Sequence, residues 1–248
     1  MLQSYAGVDG VSFNRREKLA ATEVCQRFSK QKPQKQASGG KPLPDNAMER
    51  YEDRPDKLFA WVLEGISEES LRKFQVRYDS FSDRLVYPIR DDKGRIVNVG
   101  GRTLDPDFKA KGLRKYTYFY NWPDGMGVIY GLYENLHEIR KKQEIILFEG
   151  AKSVMLADTY GVLNTGAILT SHLNPMQLRL LVKLGVRVVF ALDKDVDIFE
   201  DHNINKLKRY ANVEFLFDSA DLLGPKDAPV DRGGEVFQTL YQSRRKYR

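Results

Sequence analysis

An α/β fold built on a parallel sheet is predicted for the second half of this 248-residue chain. A mixed α+β basic subdomain is expected ahead of it, and a flexible arm at the N-terminus. Three observations carry that prediction. From Glu144 onward, short and nearly continuous apolar runs alternate with helix-like segments, as in strands covered on both faces. Upstream, Arg84–Arg90 and Arg95–Arg102 flank the turn Asp91-Asp92-Lys93-Gly94, a hairpin signal. Before both, residues 29–46 are rich in Lys, Gln, Gly, Pro and Ser and read as a linker. The boundaries fall at 1–50 for arm and linker, 51–142 for the basic subdomain and 143–248 for the sheet domain.

The elements follow in order. Arg15–Phe28 carries enough Ala, Glu and Lys for a helix, with Leu19, Val24 and Phe28 on one face. Pro55–Glu64 and Ser67–Phe74 read as two short helices, the second opened by a Ser N-cap. After the hairpin, Gly100-Gly101 marks a bulge or the close approach of another backbone. Glu144–Phe148 is an apolar strand, Ser153–Tyr160 a helix and Gly161–Leu169 a further strand region. Asn174 caps a helix over Pro175–Leu184, with Pro in its tolerated first position and Gly185 beyond its end. Val186–Leu192 is a β-branched strand, Asp197–Tyr210 a helix and Val213–Phe217 the last strand.

Composition narrows the function. Hydrophobic residues make up 42% and charged residues 30%, so most of the chain folds around a core. Forty Lys and Arg against 34 Asp and Glu give +6, a balance that favours a polyanionic partner. Runs such as Val188–Leu192 are too short to cross a bilayer, and Met1–Gly10 has no continuous apolar stretch, so no membrane span or secretory signal is expected. Cys25 is the single cysteine, which excludes an internal disulfide and zinc-finger spacing and favours a cytoplasmic setting.

Acids stand where the strands end. Glu149 follows the run to Phe148, and Asp193 follows the run to Leu192, with Asp195 and Asp197 behind it. In a parallel sheet these ends share one edge, so Glu149 and Asp193 converge if their strands are neighbours. Gathered carboxylates raise each other's pKa, and a divalent cation such as Mg²⁺ relieves that repulsion while keeping room for substrate phosphates. A plain polar turn at Asp193-Lys194-Asp195 is the alternative. Arg84, Arg90, Arg95, Arg102, Arg114 and Lys115 are spread over the hairpin and the loop after it, either as phosphate contacts or as solvated strand charges. Tyr116, Tyr118, Phe119, Tyr120 and Trp122 form an aromatic run that reads as core packing before base stacking. His137, His172 and His202 have no ligand spacing.

Phe148-Glu149-Gly150, Asn164-Thr165-Gly166-Ala167 and Leu192-Asp193-Lys194-Asp195 resemble the Toprim domain of primases and topoisomerases. Upstream, Asp83–Asp91, Gly94-Arg95, Gly100-Gly101-Arg102, Lys115-Tyr116 and Ile129–Tyr133 resemble the core of bacterial DnaG-type primases, and the likeness runs from Asp56 to Gly234. It implies a Toprim-like parallel sheet flanked by helices, and an RNA polymerase that makes short primers on single-stranded DNA from ribonucleoside triphosphates with Mg²⁺ or Mn²⁺. By this resemblance Glu149 is catalytic, Asp193 and Asp195 bind metal, and Asp227 is the third metal acid, with Asp218 as second choice. Arg84, Arg102 and Lys115 match the family pattern and are assigned to nucleotide or DNA phosphates.

The pattern is broken at three points. Ser153 stands where the family often has Asp, Lys194 where it commonly has Gly, and Asp124-Gly125-Met126-Gly127 where a basic residue often precedes Tyr-Gly-Leu-Tyr. These point to a divergent, phage-like member. The resemblance also implies a zinc-binding module and a helicase-binding module, which a single Cys and an end at Arg248 assign to other polypeptides or to a longer chain. Two other functions stay open: a Toprim-type nuclease using the same acids, and a nucleic-acid-binding replication module of weak catalysis. No large DNA gate or Tyr nucleophile motif supports a topoisomerase.

Overall fold

The chain runs, in a computed structural model that describes residues 41–120 and 127–247, through seven helices and nine strands among the described residues. The described residues form one compact unit. The expected helix Arg15–Phe28, Cys25, most of the linker, Trp122 and Asp124–Met126 lie outside the described residues. None of the described helices is long and apolar enough to cross a membrane.

The first half is α1 (Pro55–Leu63), α2 (Glu68–Lys73), β1 (Arg77–Asp79), β2 (Arg84–Arg90), β3 (Ile96–Thr103) and β4 (Tyr116–Tyr118). Pro55 sits in the first turn of α1, and the Ser67 side chain accepts from the Ser70 amide to start α2. The four strands form an antiparallel sheet in the order β1-β2-β3-β4. Between its terminal arginines β2 is apolar because both faces are covered. Leu85, Tyr87 and Ile89 face one core, while Val86 packs with Ile96, Val99, Met48 and Tyr51 on the other side. Met48 belongs by composition to the arm, yet it is buried, and the Leu43 amide donates to the Ile96 carbonyl at 2.7 Å. Packing therefore reaches into the expected linker.

The second half is α3 (Leu132–Lys142), β5 (Glu144–Phe148), α4 (Ala151–Thr159), β6 (Thr165–Ala167), α5 (Pro175–Leu184), β7 (Arg187–Phe190), α6 (His202–Leu207), β8 (Val213–Phe215), α7 (Gly234–Gln242) and β9 (Arg245–Lys246). Its sheet has the order β6-β5-β7-β8-β9, parallel except for β9, which pairs antiparallel with β8. Alternate residues of β5 enter different cores. Ile146 and Phe148 pack with Val154 and Ala157 of α4, whereas Ile145 and Leu147 pack with Ile139 of α3 and Leu181 of α5. This two-sided cover is why the strand carries no polar alternation. The expected helix 197–210 shortens to α6 because Asp201 caps it, accepting from the amides of Asn203 and Ile204. The Asn174 cap of α5 is a full capping box with Gln177.

The two sheets share a core. Tyr87 of β2 meets Tyr130 edge-on at 5.3 Å between ring centres, Tyr130 stacks on Phe74 at 5.8 Å, and both tyrosines belong to the cluster that holds Ile146 and Phe148. Tyr130 also exchanges two backbone hydrogen bonds with Ala167 of β6, each 2.9 Å. Gly100 serves this packing. A Cβ there would stand 2.5 Å from Cε2 of Tyr87, so the space is filled by a ring and not by another backbone; the register slip of the hairpin lies instead between Ile89 and Arg90. Because Trp61 and Tyr130 wall in the Tyr87 ring, it has little room to yield. Gly100→Ala is therefore expected to destabilise the protein by about 1–3 kcal/mol through overpacking, lowering Tm by several degrees in a thermal melt.

Candidate active site

β5 and β7 are adjacent, paired Leu147 to Phe190, and the ladder continues where the Ala191 amide donates to the Leu147 carbonyl at 2.8 Å. The chain leaves both strands at the same edge. Glu149 is the first residue past β5, and Asp193 lies three past β7. Both line a cleft of about 270 Å³, and they also border a second hollow of about 400 Å³ into which Asp195 opens. Their mutual repulsion is visible in their acidity. Asp193 is pushed up to about 7 by partial burial and by the charges of Glu149, Asp231 and Asp195, against a small opposing pull from Lys115. The Glu149 carboxyl is raised by burial and by Asp195. Among the described residues, no cation pairs directly with Glu149, Asp193 or Asp195.

The same cleft is also lined by cations. It presents Arg102 from β3, Lys115 and Tyr116 from the start of β4, and Lys152 from the first turn of α4. Partial desolvation, then the charges of Arg102 and Lys152, pull the Lys115 amine below its usual value, although the residue as a whole is exposed. Burial pushes the Tyr116 hydroxyl up to about 12. The aromatic run is divided: Tyr116 and Tyr118 line the cleft, while Phe119 packs edge-on against Tyr51 at 6.0 Å. His172, without ligand spacing in the sequence, borders the acid hollow near Glu149.

Three expected site residues stand elsewhere. Asp227 accepts from the Gly224 amide at 2.8 Å and from Arg232 Nε at 2.5 Å, so its carboxylate shapes its own loop. Asp218, the second choice, accepts from the amides of Leu222 and Leu223 and pairs with Lys194 at 3.2 Å. The downstream acid that lines the cleft with Asp193 and raises its pKa is Asp231, four residues after Asp227. Arg84 is 7% exposed, and its guanidinium donates to the carbonyls of Arg114 at 2.9 Å and Lys115 at 3.3 Å. It holds the loop that presents Lys115 and does not itself line the cleft. Lys194 reaches Asp218, Asp221 and the Leu223 carbonyl, which ties the acid loop to its neighbour and leaves Asp193 without a directly paired cation among the described residues. Sequence reading missed Asp231, Lys152 and Glu64; only Lys152, three residues after Glu149, carried a local signal.

The sequence and the fold find counterparts among known proteins. Residues 60–119 match the family model of the DNA primase catalytic core, N-terminal domain. The chain is 29% identical over 208 residues to an SPbeta prophage-derived uncharacterized protein, YorJ, of Bacillus subtilis, covering 73% of this chain and 55% of that one. It is 36% identical over 152 residues to the DNA primase of Halalkalibacterium halodurans, covering 59% of this chain and 22% of that protein. The chain thus spans about half of the prophage relative and about a fifth of the primase. In fold it is similar to the Aquifex aeolicus primase, zinc-binding and RNA polymerase domains, with a TM-score of 0.64 at 20% identity over 82% of this chain and 60% of that one. It is likewise similar to a DnaG primase catalytic domain bound to ssDNA, with a TM-score of 0.61 at 16% identity over 94% and 81%. The chain is therefore a relative of the bacterial DnaG-type DNA primases, carrying their N-terminal catalytic-core domain over residues 60–119 and the fold of their catalytic core.

Proposed function

We propose that the chain is the RNA-polymerase core of a primase, joining ribonucleotides on single-stranded DNA by metal-dependent nucleotidyl transfer. One observation carries this reading: carboxylates at a strand edge, with no directly paired cation among the described residues, share a single cleft with cations suited to phosphate. The basic subdomain, 51–142, supplies most of the cations, and the sheet domain, 143–248, with the strand order described above, supplies the acids as a Toprim-type sheet. The comparison structure with bound ssDNA supports the same substrate here.

The donor set fits a divalent metal. Among the described residues, no three acids or histidines are arranged to hold one ion unaided. Mg²⁺ is commonly held by one or two carboxylates, with waters and substrate phosphates completing its shell. Asp193 and Asp195 are the ligands in this reading, and Asp231 stands beside Asp193 where the sequence had pointed to Asp227. Bound there, Mg²⁺ or Mn²⁺ would lower the pKa of the primer 3′-hydroxyl and offset the charge of the triphosphate. The protein's own groups do the rest. Arg102 offers a planar fork to phosphate oxygens and Lys115 a point charge, fixing the triphosphate against the acids. Glu149, with its carboxyl raised by burial and Asp195, takes the proton from the attacking hydroxyl. Arg84 positions Lys115 through the loop carbonyls.

Primer synthesis on single-stranded DNA with labelled ribonucleotides and Mn²⁺ tests the proposal. Glu149→Gln and Asp193→Asn are each expected to lower the rate by about 10²–10⁴-fold. Template cleavage without synthesis would replace the polymerase with the nuclease.

The arginine and lysine roles separate by two measurements. Arg84→Met is expected to lower Tm, since the loop loses the part-buried guanidinium bonds to the carbonyls of Arg114 and Lys115, although the Lys115 carbonyl keeps the Thr103 amide. Lys115→Ala is expected to leave Tm nearly unchanged and to weaken single-stranded DNA binding, with the salt slope of log Kd reduced by about 0.7.

The acidity of Asp193 sets a pH dependence without added metal. Its folded pKa lies above the unfolded value of about 4, so ionisation costs stability. That cost is absent below pH about 4, grows as pH rises, and is complete above about 7. Discounted for solvent screening, it amounts to about 1–2 kcal/mol. Asp193→Asn is therefore expected to melt a few degrees above the parent at pH 8 in chelator, with the difference vanishing near pH 4. Added Mg²⁺ should raise the parent Tm and leave the variant unmoved.

A further inference from the structure

One acid in the cleft lies among the cations. Glu64 is the residue that ends α1, and its carboxylate accepts from Arg102 Nη1 at 3.0 Å and from Lys152 Nζ at 2.5 Å. Three elements thus meet at one carboxylate: the end of α1, strand β3 and the first turn of α4. Burial alone would raise the Glu64 carboxyl, but the Lys152 hydrogen bond and charge, with those of Arg102, outweigh it and hold the group below the usual range. The residue does nothing for its own helix, because a negative charge at a helix C-terminus opposes the helix dipole.

The pairing leaves a vacancy in hydrogen bonding. Glu64 takes Nη1 of Arg102, while Nε of the same guanidinium is buried and finds no acceptor among the described residues. A guanidinium presents paired donors that match two oxygens of a phosphate, and a carboxylate held on one nitrogen leaves that capacity unused. Lys152, 22% exposed at its side chain, is similarly engaged by Glu64. Both cations line the cleft beside Lys115.

We propose that Glu64 is an internal stand-in for phosphate, which holds Arg102 and Lys152 paired until the triphosphate of an incoming nucleotide displaces it. Lys152 then becomes a third phosphate contact beside Arg102 and Lys115. The inference rests on the reading of the cleft as the nucleotide site. The physical basis is competition: a carboxylate brings one negative charge to two cations, whereas a triphosphate brings several and can use both donors of the fork. Glu64 lowers the affinity of the empty cleft for polyanions in general, so that only a ligand with closely spaced charges dislodges it.

Tripolyphosphate binding to the full chain in chelator, measured by calorimetry, tests this. Glu64→Gln keeps the shape of the side chain and is expected to tighten binding roughly three- to ten-fold, the worth of a partly exposed ion pair. Lys152→Gln is expected to weaken it by a similar factor. Should Glu64→Gln fail to fold, Glu64→Asp, one methylene too short to reach both cations, is expected to give a smaller gain of the same sign. Unchanged or weaker binding in the Glu64 variants would overturn the inference and make Glu64 an organiser of its neighbours. Lys115→Ala separates the two levels. If it weakens tripolyphosphate binding while Glu64→Gln does not tighten it, only the stand-in role falls. If neither parent nor Glu64→Gln binds, or Lys115→Ala has no effect on the binding seen, the nucleotide reading of the cleft falls with it.

Discussion

The pairing of β5 with β7 is the constraint on which the site depends. Parallel neighbours finish on one edge, and the register Leu147 to Phe190 brings Glu149 and Asp193 to that edge. A slip of one residue would reverse the faces of β5, putting Ile145 and Leu147 where Ile146 and Phe148 belong. Two separate cores, one on each face, resist such a slip. The cost of crowding the acids is thus met by burial on both sides of the strands that carry them, and it shows as raised pKa values at the edge.

The cationic lining is tied to the acids through the shared aromatic core. Tyr87 lies in the hairpin sheet and Tyr130 bonds to β6, so their contact sets how far the cations of β3 and β4 stand from the acids. Gly100 is the small residue that admits the Tyr87 ring. Arg84 then carries the order outward, from buried strand to the loop that holds Lys115. Charge segregation in the cleft is therefore a product of packing as much as of composition. Glu64 is the exception that tempers it, and the net charge of +6 conveys nothing of that arrangement.

Much of the fold was legible because it is written in local signals. The Ser67 and Asn174 caps, Pro55, Pro175 and Gly185, and the apolar runs of β2, β5 and β7 each act within a few residues. Glu149 and Asp193 were legible for the same reason, as acids that directly follow apolar strands. What failed was what depends on distant partners. Asp227 and Asp231 are both loop acids a few residues apart, and only the placement of Gly224 and Arg232 decides that Asp227 turns inward to its own loop. Arg84 looks like any strand arginine until the carbonyls of Arg114 and Lys115 are placed beside it. Lys194 lies between two cleft acids in sequence but is drawn away by Asp218 and Asp221. Helix α3 escaped notice because its apolar face is interrupted by charged residues, although Arg140, Lys141 and Lys142 suit its C-terminus.

The two flanks of the five-stranded sheet are finished differently, and this bears on how the chain behaves when crowded. An unpaired strand edge is a template for another chain. On one side, the two hydrogen bonds between Tyr130 and Ala167 occupy the outer rim of β6. On the other, β8 is covered by β9, a strand of only two residues, Arg245 and Lys246, both exposed and both positive. A short, charged border repels its own kind. The sheet that gathers the acids is in this way guarded against extending itself sideways into an aggregate.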